Sequence, residues 1–275
     1  MTGPQRSLLP DGRLHLNHGP IDLICEAWGE AMTVQQAYKR AALRFDGLLA
    51  ELVAELPALR AENKALIGPI AQKMARAVAP FRPTFITPMA AVAGAVAETI
   101  LAVMVVPGLA KAYVNNGGDI ALHLAPGETL SAAIGLSAHR LIIRADDLVR
   151  GIATSGWRGR SFSLGIADSV TVLAQTAAMA DAAATMIANA VDLPGHPAIQ
   201  RQPAREIQAD NDLGDRLVTV GVGNLTPDET GRALDCGLAA ATAYQQRGLI
   251  EAAAIFLNSD LRTLGALTLK EPEHA

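Results

Sequence analysis

Apolar and polar positions fall into blocks along most of the chain, and the blocks read as elements. Arg13–Asn17 and Ile21–Ala27 have strand character and are joined through His18-Gly19-Pro20, a turn-forming link. Thr33 followed by Gln36 reads as a capping box that opens a helix to about Leu56, where Pro57 stops it. Pro69, at a first helical turn, starts another helix over Ile70 to Val78. Phe85 to Ala110 is then almost continuously apolar, long enough to cross a bilayer at ~20 residues. Pro88, Gly94, Glu98, Pro107 and Gly108 interrupt it, and small residues dominate where a lipid-facing helix is rich in Leu and Phe. The expectation is a helix buried on all sides rather than a membrane span.

After Gly108 the period shortens. Ala112–Asn115 and Ile120–Leu124 read as strands around Asn116-Gly117-Gly118-Asp119, where adjacent glycines permit positive φ and close approach. Leu130–Ile134, His139–Arg144 and Val149–Ala153 are further strands. Ala153-Thr154-Ser155-Gly156 ends the last of them in a hydroxyl-bearing turn, either an ordinary one or one that faces an anion. Ser169–Leu173, alternating and rich in β-branched residues, feeds a helix from Ala177 to about Asn189 with Thr176 as N-cap. Val191–Asp215 reads as a long surface excursion with no element of its own. Leu217–Val222 is a strand, and Thr226-Pro227-Asp228-Glu229 starts a helix to about Arg247 that Gly248 closes. Ile250–Leu257 is a last strand, and the charged tail after Lys270 is expected to fray. Both kinds of element interleave without a strict βαβ rhythm. The pattern predicts an α+β fold, one domain over 1–275, with mixed or antiparallel sheets packed with helices.

Composition narrows the function. Half of the 275 residues are hydrophobic and 18% are charged, which supplies a large core and excludes a disordered chain. Only 4% are aromatic, so that core is built from small aliphatic side chains. A net charge of −4 with no basic run argues against a nucleic-acid surface. Cys25 and Cys236 lie far apart without metal-ligand spacing, and residues 1–25 hold no continuous apolar stretch, so a cytoplasmic protein is expected. The expected partner is a small molecule, not a nucleic acid or membrane, and the Ala-rich helices leave room for a homodimer.

Few side chains suggest chemistry. Asp181 and Thr185 lie four apart, on one face of a helix otherwise made of Ala, Met and Ile. A carboxylate is costly to bury without a partner. Joined by a hydroxyl it offers hard-oxygen ligation, which Mg2+ prefers. The same spacing also fits a surface Asp beside a Thr bonding back to its own helix. Arg158 and Arg160 read as phosphate clamps or as solvated loop arginines. His15 and His18 lack an acid or cysteine at a matching interval, His123 and His139 read as strand residues, and no Ser-His-Asp or Cys-His arrangement is evident.

Taken together, Asn115-Asn116-Gly117-Gly118-Asp119-Ile120, Ala153-Thr154-Ser155-Gly156, Ser169-Val170-Thr171-Val172 and Ala180-Asp181 with Thr185 resemble, in order and approximate spacing, the ApbE superfamily of FAD:protein FMN transferases and their relatives. Pro88-Met89-Ala90-Ala91-Val92-Ala93-Gly94-Ala95, with Asp212-Leu213-Gly214 and Gly237, is similar to an uncharacterised branch of it. The resemblance implies a T-fold-like α+β domain. It implies FAD bound among Met89, Gly94, Asn115, Asn116, Gly117, Gly118, Asp119, Thr154, Ser155 and Gly156. It further implies Mg2+ on Asp181 and Thr185, with Asp181 the catalytic residue of a Mg2+-dependent transferase or pyrophosphatase. The chain departs from the transferases in having no Met-Gly-Thr segment in residues 1–70 and no Lys beside Gly94. Their His-Ile-x-x-Pro stretch is replaced by Arg158-Gly159-Arg160 and Ser163-Leu164-Gly165. These departures keep a second expectation open: a divergent binding domain whose pocket takes a pterin-type molecule or a phosphorylated one-carbon intermediate.

Overall fold

In a computed structural model, which describes residues 3–133, 140–266 and 269–270, the chain opens with an antiparallel meander: β1 (Gln5–Leu8), β2 (Leu14–His18) and β3 (Ile21–Gly29). Four helices follow: α1 (Ala31–Phe45), α2 (Leu48–Ala54), α3 (Leu56–Leu59) and α4 (Pro69–Val78). A 3-10 turn at Pro88–Ala91 leads into α5 (Val92–Met104). Next come β4 (Leu109–Asn116), β5 (Asp119–Leu124), β6 (Thr129–Ala133), β7 (Arg140–Arg144), β8 (Gly151–Ser155) and β9 (Ser169–Ala174). The chain ends with α6 (Ala177–Ala190), β10 (Ile199–Pro203), α7 (Ala204–Ile207), β11 (Leu217–Val222), α8 (Pro227–Gln246), β12 (Ala252–Leu257), β13 (Asp260–Leu264) and β14 (Leu269–Lys270).

The main sheet has nine strands in the order β1-β2-β3-β4-β5-β8-β9-β12-β13, with every neighbouring pair antiparallel. Helices cover one face in sequence, α1 on β3, α5 on β4 and β5, α6 on β8 and β9, and α8 on β12 and β13. A three-stranded sheet, β14-β7-β6, contributes a second core on the opposite face. β9 is therefore covered on both sides. Val170, Val172 and Ala174 belong to the helix-side core and Leu173 to the other, and all six β9 residues are buried. The scarcity of aromatics has its counterpart in α6, whose buried face is mostly alanine. Alanine lets the helix approach the sheet so closely that a side chain at Gly151 would overlap the Thr176–Ala177 peptide. The alanine face of α6 is thus turned inward.

Much of the sequence pattern is realised. α5 buries Gly94 to Ala97, Ile100, Leu101 and Met104. Thr176 caps α6 by accepting the Met179 N–H at 3.2 Å, Thr226 and Glu229 form a capping box, and Gly248 follows α8 at φ 70°. No described helix is long and apolar enough to cross a membrane.

Other expectations are corrected. The first helix starts at Ala31, with Thr33 already inside its first turn, so Thr33 and Gln36 make no capping box. It breaks at Asp46-Gly47, where Phe45 and Leu48 both turn fully into the core, and Pro57 belongs to the short α3 instead of ending a long helix. The supposed excursion after Val191 contains β10, which pairs with β11 through a bulge at Gln200/Arg201. Its polar sequence and part-exposed positions carry no apolar alternation to betray it. β1 and β13 escape notice for the same reason, both lying at sheet edges. Ile134 and His139 lie outside the described residues.

Candidate functional site

Two helices cross beside the sheet, and the crossing accounts for two isolated acids. At Gly94 a side chain would overlap the Ala177 carbonyl and come 2.7 Å from Ala178 N. With the helices this close, each lends a carboxylate to the other's start. Asp181 in α6 accepts the Gly94 N–H at 3.0 Å and the Ala93 N–H. Glu98 in α5 accepts the Ala178 N–H at 2.7 Å, while Lys73 of α4 holds its other oxygen at 2.6 Å. First-turn N–H groups have no partner within their own helix, and the helix dipole favours a negative charge there. Gly94 thus serves close packing and an N–H donor, and Met89 packs half-buried on the helix-side core.

The β4–β5 hairpin joins this crossing. Asn116 pairs with Asp119 across a two-glycine turn in which Gly117 and Gly118 have φ of 67° and 115°, the left-handed conformations that a tight hairpin demands. Asn115 Oδ1 accepts the Gly118 N–H at 2.8 Å, so that amide is already satisfied, and Asn116 Nδ2 donates to the Ala93 carbonyl at 3.2 Å. Asp119 Oδ1 accepts the Thr154 N–H at 3.2 Å. Start of α5, glycine turn and Thr154 turn are therefore tied together around Asp119 and Asp181. The two carboxylates repel each other. Asp181 is held well above the ordinary carboxylate range, first by burial and then by Asp119, against the pull of its two N–H donors. Asp119 is pushed up to about 7 by burial, opposed by the Thr154 N–H and by Arg160. Arg160 lies across Gly117, in space a side chain there would need. Thr185 lies half-buried one turn beyond Asp181, on the face that continues to Asn189, which accepts the Leu164 N–H at 2.9 Å.

On the sheet's other face, toward β6, a cavity of about 600 Å³ opens. Asn115, Gly117, Gly118, Thr154, Ser155 and Gly156 line it. Met89, Gly94, Asn116, Asp119, Asp181 and Thr185 do not. The expected site residues thus meet at one end of the sheet but divide between its faces. Arg158 also lines the cavity, but it stacks 4.7 Å over Trp157 and donates to Asp168 at 2.6 Å, so it is a paired side chain and not a free phosphate clamp. Gly156 packs against the Asp168 backbone. Asp168 and Ser169, both on the cavity wall, carry no signal beyond two polar residues at the head of an apolar strand.

Among the described residues no group of three or more His, Cys, Asp or Glu side chains is arranged around a metal position. The donor set available is two mutually repelling carboxylates with a nearby hydroxyl. That set suits a hard divalent cation completed by waters and ligand oxygens. The cavity volume lies within the range of small-molecule pockets.

Residues 6–265 match the family described as AbpE bacteria. A UPF0280 protein of Methanococcoides burtonii is 37% identical over 129 residues, covering 46% of this chain and 54% of that protein. A UPF0280 protein of Methanothrix thermoacetophila is 39% identical over 127 residues, covering 45% and 52%. The chain spans about half the length of the curated relatives it matches. Among solved structures, the apo form of the flavinyl transferase ApbE of Pseudomonas stutzeri is similar with a TM-score of 0.34 and 13% identity, covering 87% of this chain and 73% of that one.

Proposed function

Because this chain belongs to the family described as AbpE bacteria, within the ApbE-like superfamily, we propose that it binds Mg2+ and a flavin dinucleotide, FAD, at the end of β4, β5 and β8, and carries out FMN-transferase or pyrophosphatase-type chemistry there. The observation that carries this reading is the Asp119–Asp181 pair. Two half-buried carboxylates, one of them raised by the charge of the other, are each disfavoured in the charged form, and a divalent cation reverses that penalty. Asp181, Asp119 and the Thr185 hydroxyl would hold the ion. Once bound, Mg2+ supplies charge neutralisation at a diphosphate. Arg160, lying across Gly117 at the same end of the sheet, is the cation placed to face phosphate oxygens.

The test is calorimetric titration of FAD with Mg2+ and with EDTA, into the wild type and Asp181→Asn. Asn keeps an oxygen for the Gly94 N–H, so the helix crossing survives. FAD binding is expected to need Mg2+ and to weaken roughly tenfold or more in the variant, 1.4 kcal/mol or beyond. Undiminished Mg2+-dependent binding by Asp181→Asn refutes the reading. The pairing of Arg158 with Asp168 and the satisfied Gly118 amide favour a second reading, a divergent ligand such as a pterin-type molecule. Chromatography of FAD incubations, with and without an added hydroxyl-bearing acceptor protein, separates them. The enzyme reading releases AMP, together with free FMN if water is the acceptor or with FMN bound to the acceptor if it is a transferase, whereas the binding reading leaves FAD intact.

A further inference from the structure

Acidic residues outnumber Lys and Arg in this chain, 27 to 23, yet two stretches hold no acid at all, 63–97 and 236–250. The fold brings them together. Phe81 stands edge-on to Tyr244 at 4.9 Å, and the Arg247 guanidinium donates to the Pro80 carbonyl. A third arginine, Arg216, arrives from the β10–β11 connection and stacks 3.3 Å over the Phe85 ring. Arg82 lies between these two contacts, half-buried, and its Nε is covered without meeting a hydrogen-bonding group. Among the described residues none of the three arginines is ion-paired. The acids on the segment that carries Arg216 are taken: Asp210 by Arg60, Asp212 by the Thr87 hydroxyl and Asp215 by Arg205 at 2.7 Å.

Arg247 follows α8, where a cation is favoured for the helix's own sake. Arg82 and Arg216 have no such explanation. Half-burying an unpaired guanidinium costs solvation, and nothing within the described fold offsets the loss. Guanidinium forks match carboxylates, and an arginine spread on a ring keeps its N–H edge free. Arg and Tyr also concentrate at the energetic centres of protein interfaces. The chain has five Phe and three Tyr, and two of the former and one of the latter meet at this patch. Single-stranded nucleic acid binds through ring faces open to stacking. Here Arg216 already stacks on Phe85, and Phe81 and Tyr244 pack against each other. From Pro80 to Phe85 the backbone spans at most ~18 Å, the length of about five residues of an extended peptide.

We propose that Arg82, Arg216 and Arg247 form a docking surface for an acidic segment of a partner protein, whose carboxylates the three guanidinia pair. The surface is independent of the flavin reading. Fluorescein-labelled octaglutamate is titrated with the full chain at low salt, followed by anisotropy, beside a labelled oligothymidylate of matched charge. The peptide binds more tightly than the oligonucleotide, and its affinity falls as salt rises. Arg82→Gln and Arg216→Gln each weaken it about three- to tenfold. Arg40→Gln, the same charge change on the exposed side of α1, weakens it less than about twofold. Arg216 is exposed, so its substitution tests the surface even where Arg82→Gln disturbs the loop. The proposal is overturned if octaglutamate does not bind, if the oligonucleotide binds more tightly, or if Arg40→Gln costs as much affinity as Arg216→Gln.

Discussion

Substituting Gly94 by Ala sets two effects of opposite sign against each other. In an ordinary helix interior the change stabilises by ~1 kcal/mol, through helix propensity. Here the added methyl would overlap the Ala177 carbonyl and stand 2.7 Å from Ala178 N, both of them backbone, which has no rotamer through which to yield. α5 must move away from α6, an overpacking cost of ~1–3 kcal/mol. The same movement stretches the Gly94 N–H to Asp181 and the Ala178 N–H to Glu98, at ~1 kcal/mol for each cap lost. The clash and the caps win, leaving the variant roughly 2–4 kcal/mol less stable. At ~2–4 °C per kcal/mol for a chain of about this size, the melting temperature drops by on the order of 5–15 °C. Thermal melts followed by far-UV circular dichroism decide the matter. A variant that melts at or above the wild-type temperature would show that propensity prevails and that the crossing has slack, which would refute the cross-capped arrangement.

Glu98→Ala removes the acceptor for the Ala178 N–H and the partner of Lys73, and is expected to lower stability by ~2 kcal/mol. In a double-mutant cycle with Gly94→Ala the two losses should fall short of additive, since both open the same crossing; strict additivity would contradict this. A third expectation concerns pH. Asp119 stands at about 7 in the fold against an ordinary 3.8. A carboxyl raised by folding contributes stability that is complete below its unfolded value and lost as pH rises through its folded one. In EDTA stability should therefore fall between about pH 4 and pH 7, by ~4 kcal/mol at most at 1.36 kcal/mol per unit, and the melting temperature with it. Mg2+ should restore it near pH 8 and not near pH 5, and melts that do not change with pH in EDTA would contradict the assignment.

The sequence revealed elements wherever burial imposed a period. β9 and α6 were legible because β9 alternates β-branched residues and α6 presents a clear Thr176 cap. β1 and β10 were not, because they are held by backbone pairing, and their side chains are exposed or part-exposed. The helix break at Gly47 depended on Phe45 and Leu48 seeking the same core, a tertiary demand that local propensity does not encode. At the site, the spacing of Asp181 and Thr185 suggested ligation, but only the fold brought in Asp119 and gave Glu98 a reciprocal role. The two-sided layout was equally hidden. A strand reports that neighbouring residues face opposite ways, not which element waits on each side. Ser169 shows this most plainly, since nothing in Asp168-Ser169-Val170 distinguishes a paired hydroxyl from an idle one.

Among the described residues the nine-stranded sheet does not close into a barrel, so it finishes twice, and each finish is a row of backbone groups that a passing strand could zip onto. Both borders carry the same lock. On β1, Arg6 is fastened to Asp46 at 2.5 Å, and on β13, Arg262 is fastened to Asp235 at 3.1 Å. Exposed ion pairs like these add little to stability. Their effect is to plant charge at the rims, so that the protein keeps a broad, unclosed sheet without inviting stray chains to extend it.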